Sequence, residues 1–312
     1  SAIAEKYGPL LGRELDPDRE ITVVCGATEA MLAAVMAVVD PGDEVVIFEP
    51  FYENYGPDAV LSGARPRYVG LHPPDWHFDP DALAAAFGPR TRAIIVNTPH
   101  NPTGKVFARA ELAQVAALCD RWNAVAITDE IYEDIVYEGE HVRLATLPGM
   151  WDRTITVNSF SKSWNISGWR LGYVYGDAKL VAPLNNSNNV FYVCSPTPLQ
   201  LALSQVLMSD PNYYNVLREK FATKRRAAVE ALSEVGFKVY DSGSAFYVWA
   251  RIPDGYGDAI AFNEMLISNG VAGVPGGAFA DSAEHDNHMR LCIAREDEVL
   301  FGALNKIRTA IT

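Results

Sequence analysis

The chain is expected to fold as an α/β protein, with a three-layer α/β/α domain around a mainly parallel sheet and a smaller α+β unit after it. Three observations predict this. Short aliphatic and β-branched runs recur between residue 20 and about residue 175, separated by stretches of helical spacing. Several of these runs are continuous, not alternating, as in strands buried on both faces by crossover helices. Beyond them the alternation gives way to long helical patterns and a few short strands, the mark of a second unit.

The opening segment, 1–8, has the spacing of an amphipathic helix that Ser1 could cap and Gly8 would stop. Strands are expected over 21–25, 44–48, 93–97, 124–128, 154–158 and 171–175. Helical periodicity marks 28–39, 79–87 and 108–121. Long helices are expected over 195–209 and 213–235, broken at Asp210-Pro211, where proline cannot continue a helix. Strands over 237–240, 245–251 and 289–294, a helix over 258–269 and a closing helix from Glu296 complete the chain. The expected division is a large domain over 1–210 and a small one over 211–312.

Composition narrows the function. The 312 residues are 49% hydrophobic, and 26 Lys+Arg against 39 Asp+Glu give a formal charge of −13, which disfavours a binder of nucleic-acid backbone. The longest apolar run, 30–39, is too short to span a bilayer. The four cysteines, Cys25, Cys119, Cys194 and Cys292, form no CxxC pair and read as reduced, mostly buried thiols of a cytoplasmic protein.

In open α/β sheets ligands bind where loops leave the carboxyl ends of strands, so the strand exits are the candidate sites. The first is Gly26-Ala27-Thr28-Glu29, opening into a helix; its free N–H groups suit an anion, while Thr28 acting as a plain N-cap is the simpler explanation. The third strand exits through Thr98-Pro99-His100-Asn101-Pro102-Thr103-Gly104-Lys105, a stiff loop that holds Asn101; Val106 after Lys105 breaks a phosphate-loop pattern. The fourth exits through Asp129-Glu130-Ile131-Tyr132, where an inward carboxylate needs a cation, or else caps a short helix. The fifth exits through Ser159-Phe160-Ser161-Lys162, with Gly168-Trp169-Arg170-Leu171-Gly172 ahead of the sixth strand. A lysine among hydroxyls and aromatics loses its charge readily and becomes a nucleophile, and Arg170 with Ser159 could clasp a phosphate.

Asn-Pro-Thr-Gly, Asp-Glu-Ile-Tyr and Ser-Phe-Ser-Lys followed by Gly-Trp-Arg-Leu-Gly, in that order, resemble the class I/II aminotransferases of the aspartate aminotransferase fold type, over essentially the whole chain. The resemblance implies pyridoxal 5'-phosphate as cofactor. It implies Lys162 as the lysine that holds the cofactor and moves the proton, Asp129 beside the pyridine nitrogen, and Asn101 and Tyr132 on the phenolic oxygen. Gly26, Ala27, Thr28, Ser159, Ser161 and Arg170 would surround the phosphate, and Tyr52 would stack on the ring, with Phe51 next to it as an alternative. Arg290, in His288-Met289-Arg290-Leu291-Cys292, matches the arginine that clamps the substrate α-carboxylate, with Asn101 beside it; a surface salt bridge is its bland reading. The loop 274–279 resembles one that bears on the substrate side chain, while 243–247 matches loosely and receives no role. His285 and His288 with Asp281, Glu284 and Asp286 read as a solvated loop, so no metal is expected.

The implied activity moves an amino group from an L-amino acid donor to a 2-oxo acid acceptor in two half-reactions, in a homodimer. A β-eliminating carbon–sulfur lyase and a ligand-sensing domain remain the alternatives. The resemblance further implies several tens of residues ahead of the first helix that complete the small domain, cover the substrate and give a tyrosine to the partner subunit's phosphate site.

Overall fold

The computed structural model describes residues 1–240 and 243–311. The elements run α1 (Ala2–Leu11), β1 (Ile21–Val24), α2 (Ala27–Val38), β2 (Glu44–Glu49), α3 (Tyr55–Leu61), β3 (Arg65–His72), β4 (His77–Phe78), α4 (Pro80–Ala86), β5 (Thr91–Asn97), α5 (Arg109–Trp122) and β6 (Val125–Asp129). There follow β7 (Thr154–Ser159), α6 (Phe160–Ser163), β8 (Gly172–Gly176), α7 (Ala178–Tyr192), α8 (Thr197–Val206) and α9 (Tyr213–Glu234). The last part comprises β9 (Lys238–Val239), β10 (Tyr247–Arg251), α10 (Ala259–Ser268), β11 (Val274–Pro275), β12 (His288–Cys292) and α11 (Asp297–Ile311).

One sheet has eight strands in the order β1-β8-β7-β6-β5-β2-β3-β4, and a second has four in the order β11-β12-β10-β9. In the first, β7, β6, β5, β2 and β3 pair in parallel, while β8 runs against both of its neighbours. Both faces of this sheet are covered. Val45 and Ile47 pack with Ala30, Ala34 and Val35 of α2, whereas Val46 and Phe48 pack with Leu112 and Val115 of α5. The continuous apolar strands thus have their explanation, since neither face meets water. The second sheet has its own core, with Val248, Phe262, Leu266, Met289, Leu304 and Ile307 buried together.

Several expectations need correction. Helix α1 runs through Gly8 and Pro9 and ends at Gly12, whose φ of 65° provides the left-handed stop. Gly8 is buried, and a Cβ there would sit 3.0 Å from the Arg13 carbonyl oxygen, so close packing accounts for this glycine. Helix α3, strands β3 and β4 and helix α7 were not expected. Each has a masking feature: α3 is short and carries Gly56-Pro57 at its start, β3 begins Arg65-Pro66-Arg67 on a half-exposed edge, and α7 contains Pro183 and four asparagines. Tertiary packing outweighs these weak propensities. Of the four cysteines only Cys119 is buried; Cys25 is intermediate, and Cys194 and Cys292 are exposed.

Candidate active site

At the carboxyl ends of the parallel strands lies a cavity of about 300 Å3. Ala27, Thr28, Tyr52, Asn101, Asp129, Tyr132, Ser159, Ser161, Lys162, Arg170 and Arg290 all line it. Residues more than 260 positions apart in the chain therefore meet in one place. Gly26 stands just behind this lining, as the N-cap of α2.

The anion-attracting end is built where α2 begins. Gly26 has φ 92°, a conformation glycine tolerates, and an added Cβ would lie 2.4 Å from Nη2 of Arg170. The guanidinium is thus pressed against the turn at the helix N-terminus. Gly172 allows β8 the same intimacy, because a Cβ there would meet the Ala27 nitrogen at 2.8 Å. No side chain caps α2, so Thr28 is not the N-cap the sequence allowed and its side chain lines the cavity instead. Ser159 ends β7 in extended conformation, with its Oγ 2.8 Å from Ser161 Oγ and accepting the Ser161 N–H at 3.0 Å. Helix N–H groups, a guanidinium and two hydroxyls converge here, a set that attracts a dianion.

Asp129 closes β6 and is 5% exposed. Its Oδ2 accepts the Tyr55 hydroxyl at 2.6 Å, and its Oδ1 accepts the Ile131 N–H at 3.3 Å. Burial raises this carboxyl to about 6, against the two hydrogen bonds and the attraction of Lys162. Among the described residues Asp129 has no ion-pair partner, so its charge calls for a cation placed in the cavity. Lys162 lies on the short helix α6, half-buried. Burial depresses its ammonium pKa against the pull of Asp129, and the positive charges of Arg290 and Arg170 add to the depression. An amine that gives up its proton easily is a nucleophile.

The far wall comes from two places. The Asn101 N–H bonds Oδ1 of Asn97 at 2.6 Å, and Nδ2 of Asn97 bonds the Asp129 carbonyl at 2.9 Å, tying the two strand exits together. Arg290, on β12, donates from Nη1 to Oδ1 of Asn101 at 2.8 Å. Because arginine only donates, the Asn101 oxygen must face it, which leaves the Asn101 amide N–H groups for a ligand. The Arg290 guanidinium lies 4.4 Å from the Tyr247 ring centre and 4.5 Å from that of Phe279, which hold it by cation–π contact. The hydroxyls of Tyr247 and Tyr132 are 3.0 Å apart.

Sequence reasoning missed Tyr55, Asn97 and Tyr247. Tyr55 is one helical turn beyond Tyr52, in a helix that was not expected, and Tyr247 falls in the segment that received no role. Of the two adjacent aromatics, Phe51 stacks on Tyr68 at 5.0 Å in the core, whereas Tyr52 lines the cavity. His285 and His288 do not form a solvated loop. They are 1% and 8% exposed and pack among Trp76, Trp249 and Tyr240, a ring cluster no local pattern announced.

Pyridoxal phosphate has a phosphate, a basic ring nitrogen, a phenolic oxygen and an aldehyde, and the cavity offers a counterpart to each. The Gly26–Ala27 turn with Arg170 suits the phosphate, and the unpaired Asp129 carboxylate suits a protonated ring nitrogen. Asn101 and Tyr132 have donors for the phenolic oxygen, and Lys162 is an amine of depressed pKa. The residues present fit the cofactor.

Comparison with known proteins agrees. The aminotransferase class I and II family pattern matches residues 1–307. Kynurenine–oxoglutarate transaminase 3 of Mus musculus is 36% identical, over 97% of this chain and 73% of that protein. The solved structure of N-succinyldiaminopimelate aminotransferase from Mycobacterium tuberculosis superposes with a TM-score of 0.96 at 37% identity, covering 99% of this chain and 82% of the other. That of YbdL from Escherichia coli, identified with a methionine aminotransferase function, gives 0.94 at 32% identity, with 99% and 81% covered. With this fold, this cavity and these relatives, the chain belongs to the class I and II aminotransferases, pyridoxal-phosphate-dependent enzymes that carry an amino group from an amino acid to a 2-oxo acid.

Proposed function

We propose that Lys162 holds the cofactor and carries the proton in this aminotransferase, and that the donor is an L-amino acid with an uncharged side chain. The observation that carries the first part is the convergence of Lys162 with the buried, unpaired Asp129 in one cavity. Pyridoxal phosphate, when bound, supplies an aldehyde that condenses with amines and a ring that accepts electrons from the substrate α-carbon.

The protein's own groups do the rest. The Gly26–Ala27 turn, Thr28, Ser159, Ser161 and Arg170 would anchor the phosphate. The Asp129 carboxylate keeps the ring nitrogen protonated, and the hydrogen bond from Tyr55 keeps that carboxylate oriented. Asn101 and Tyr132 donate to the phenolic oxygen, and Tyr52 covers the ring. Arg290 grips the α-carboxylate, which leaves the α-hydrogen in reach of Lys162. The Lys162 amine would take that proton at Nζ as general base and give it up again from Nζ as general acid. Burial lowers its ammonium pKa, which favours the free amine that a base requires. The 2-oxo acid left from the donor would then depart, and a second 2-oxo acid would take its place, receive the amino group and leave as the amino-acid product.

The donor class rests on the rings around Arg290. Tyr247, Phe279 and Tyr52 give that end an aromatic character, which favours a neutral side chain over a second carboxylate. Relatives named for kynurenine and methionine support this reading. We also propose a homodimer working in the cytoplasm. Val190, Phe191, Tyr192 and Val193 form an exposed apolar run near the phosphate end of the cavity, suited to a second copy, and all four cysteines are free thiols. A division into domains near residue 210 is supported by the separation of the two sheets, one within 21–176 and the other within 238–292.

The test is visible absorbance of the protein loaded with pyridoxal phosphate, then turnover of an amino acid panel with 2-oxoglutarate. The expected result is a lysine-linked band lost in Lys162→Ala, and kcat/KM for methionine, phenylalanine or kynurenine at least about tenfold above that for aspartate. A band unchanged in Lys162→Ala overturns the lysine assignment, and a preference for aspartate overturns the donor class.

A further inference from the structure

Immediately after Asp129 and Tyr132 the chain carries two more acids, Glu133 and Asp134, both turned away from the cavity into a buried polar network. The Glu133 side chain is 2% exposed. Its Oε1 accepts the Asn158 amide at 2.9 Å and the Tyr7 hydroxyl, and its Oε2 accepts Arg143 Nη2 at 2.5 Å. Burial pushes this carboxyl up, but Arg143, Lys6 and His141 together pull it below the ordinary range, so it is a carboxylate at neutral pH. Glu130, Glu133 and His141 bring possible metal-ligand atoms within 4.8 Å of one another. The positive charge there already comes from Arg143 and Lys6, and both Glu133 oxygens are occupied.

What the network connects is the second observation. Asn158, the residue bonded to Glu133, turns its Oδ1 to accept the Ser159 N–H at 2.7 Å. Ser159 caps the four-residue helix that bears Lys162. The other end of that helix is held from the same turn. Asp134 accepts Lys6 Nζ at 3.2 Å, Lys6 donates to the Tyr214 hydroxyl at 3.2 Å, and Trp164 Nε1 donates to that hydroxyl at 3.3 Å. Tyr213, stacked on Trp164 at 4.3 Å, bonds the Ser163 carbonyl at 2.6 Å. The turn that begins with Asp129 and the helix that bears Lys162 are therefore gripped to each other at both ends of the helix.

We propose that Glu133 is a positioning residue that sets Lys162 relative to Asp129 through Asn158 and Ser159, with α1 locking it in place through Tyr7. Glu133 touches neither cavity nor ligand; it acts through the two loops it joins. A four-residue helix has too few internal hydrogen bonds to hold a lysine rigidly, so its placement comes from outside. Buried networks of this kind specify one geometry and fail as a unit. The inference rests on the assignment of Lys162 and Asp129 above.

The test compares Glu133→Gln, Glu133→Ala and Tyr7→Phe with Leu83→Ala, a core substitution on α4 outside the network. Each variant is loaded with pyridoxal phosphate without substrate, and its absorbance is titrated with pH alongside kcat, KM and Tm. Glu133→Gln is expected to shift the midpoint of the lysine-linked band by at least about half a pH unit and to lower kcat about tenfold, with KM within about twofold. Tyr7→Phe is expected to do the same to a lesser degree, and Leu83→Ala to lower Tm with the midpoint unmoved. If Glu133→Ala does not fold, Glu133→Gln and Tyr7→Phe decide. Wild-type midpoints and kcat in both, or a midpoint shift of equal size in Leu83→Ala, would overturn the proposal. Should Lys162→Ala retain the band, the lysine assignment fails; should it lose the band while the network variants behave as wild type, only the positioning role fails.

Discussion

One wall of the cavity is assembled from the exits of parallel strands, and the other from a single strand of the four-stranded sheet with the rings packed on it. On the first wall Asp129, Ser159 and the Gly26–Ala27 turn sit at strand ends or helix starts, fixed by backbone geometry and short-range hydrogen bonds. On the second, Arg290 is placed by cross-strand pairing of β12 with β10, by Tyr247 and Phe279, and by one hydrogen bond to Asn101. On the proposed assignment the first wall would face a cofactor that never changes, and rigid backbone suits it. The second would face substrates that differ, and side-chain packing is the easier thing to vary.

Four substitutions sharpen or break this contrast. Asp129→Ala, on the rigid wall, is expected to reduce kcat by about a thousandfold, because it removes the charge opposite the ring nitrogen. A loss of less than tenfold in steady-state assays would show that the carboxylate is not a partner of the cofactor. Arg290→Lys, on the packed wall, should raise KM for amino acids about 10- to 100-fold, since a point charge replaces a planar fork. Cofactor affinity, read by equilibrium titration, should barely change; a large change would mean that the walls are not separable. Tyr55→Phe removes the 2.6 Å hydrogen bond to Asp129 and should weaken cofactor binding by about tenfold, measured in the same titration.

The smallest effect concerns a buried acid whose Oδ2 has no hydrogen-bond partner among the described residues. Asp58 on α3 is 5% exposed, and burial raises its carboxyl to about 7. Its folded pKa is above the unfolded value near 3.8, so its proton stays on in the folded state longer than in the unfolded state. Stability is therefore greatest below pH 4 as far as this group is concerned, and falls as pH rises through 7. Asp58→Asn should gain at least about 1 kcal/mol in stability at pH 8 and little at pH 4. An equal gain at both pH values would show that Asp58 is not held protonated.

The same contrast explains what could be read from the sequence. Strand exits are local, so Asp129, Lys162, Asn101 and Arg170 stand in short motifs whose residue types make chemical sense by themselves. The continuous strands were equally legible, because burial on both faces leaves an unbroken apolar run. Tyr247 and Tyr55 were not, since each becomes informative only when a partner from another element arrives beside it, the Tyr132 hydroxyl for Tyr247 and the Asp129 carboxylate for Tyr55. Helices α3 and α7 were hidden by Gly56-Pro57 and by Pro183 with its asparagines, and they exist because α2 and the sheet offer a surface to cover. The buried histidines were misread for the same reason: with no further histidine or cysteine at ligand spacing the segment read as a solvated loop, while Trp76 and Trp249 come from elsewhere in the chain.

The most direct measurement of the central claim is borohydride reduction of the pyridoxal-phosphate-loaded protein followed by peptide mass mapping. The cofactor's mass is expected on the peptide containing Lys162 and on no other lysine in stoichiometric amount. A stoichiometric label on a different lysine, or none, would contradict it.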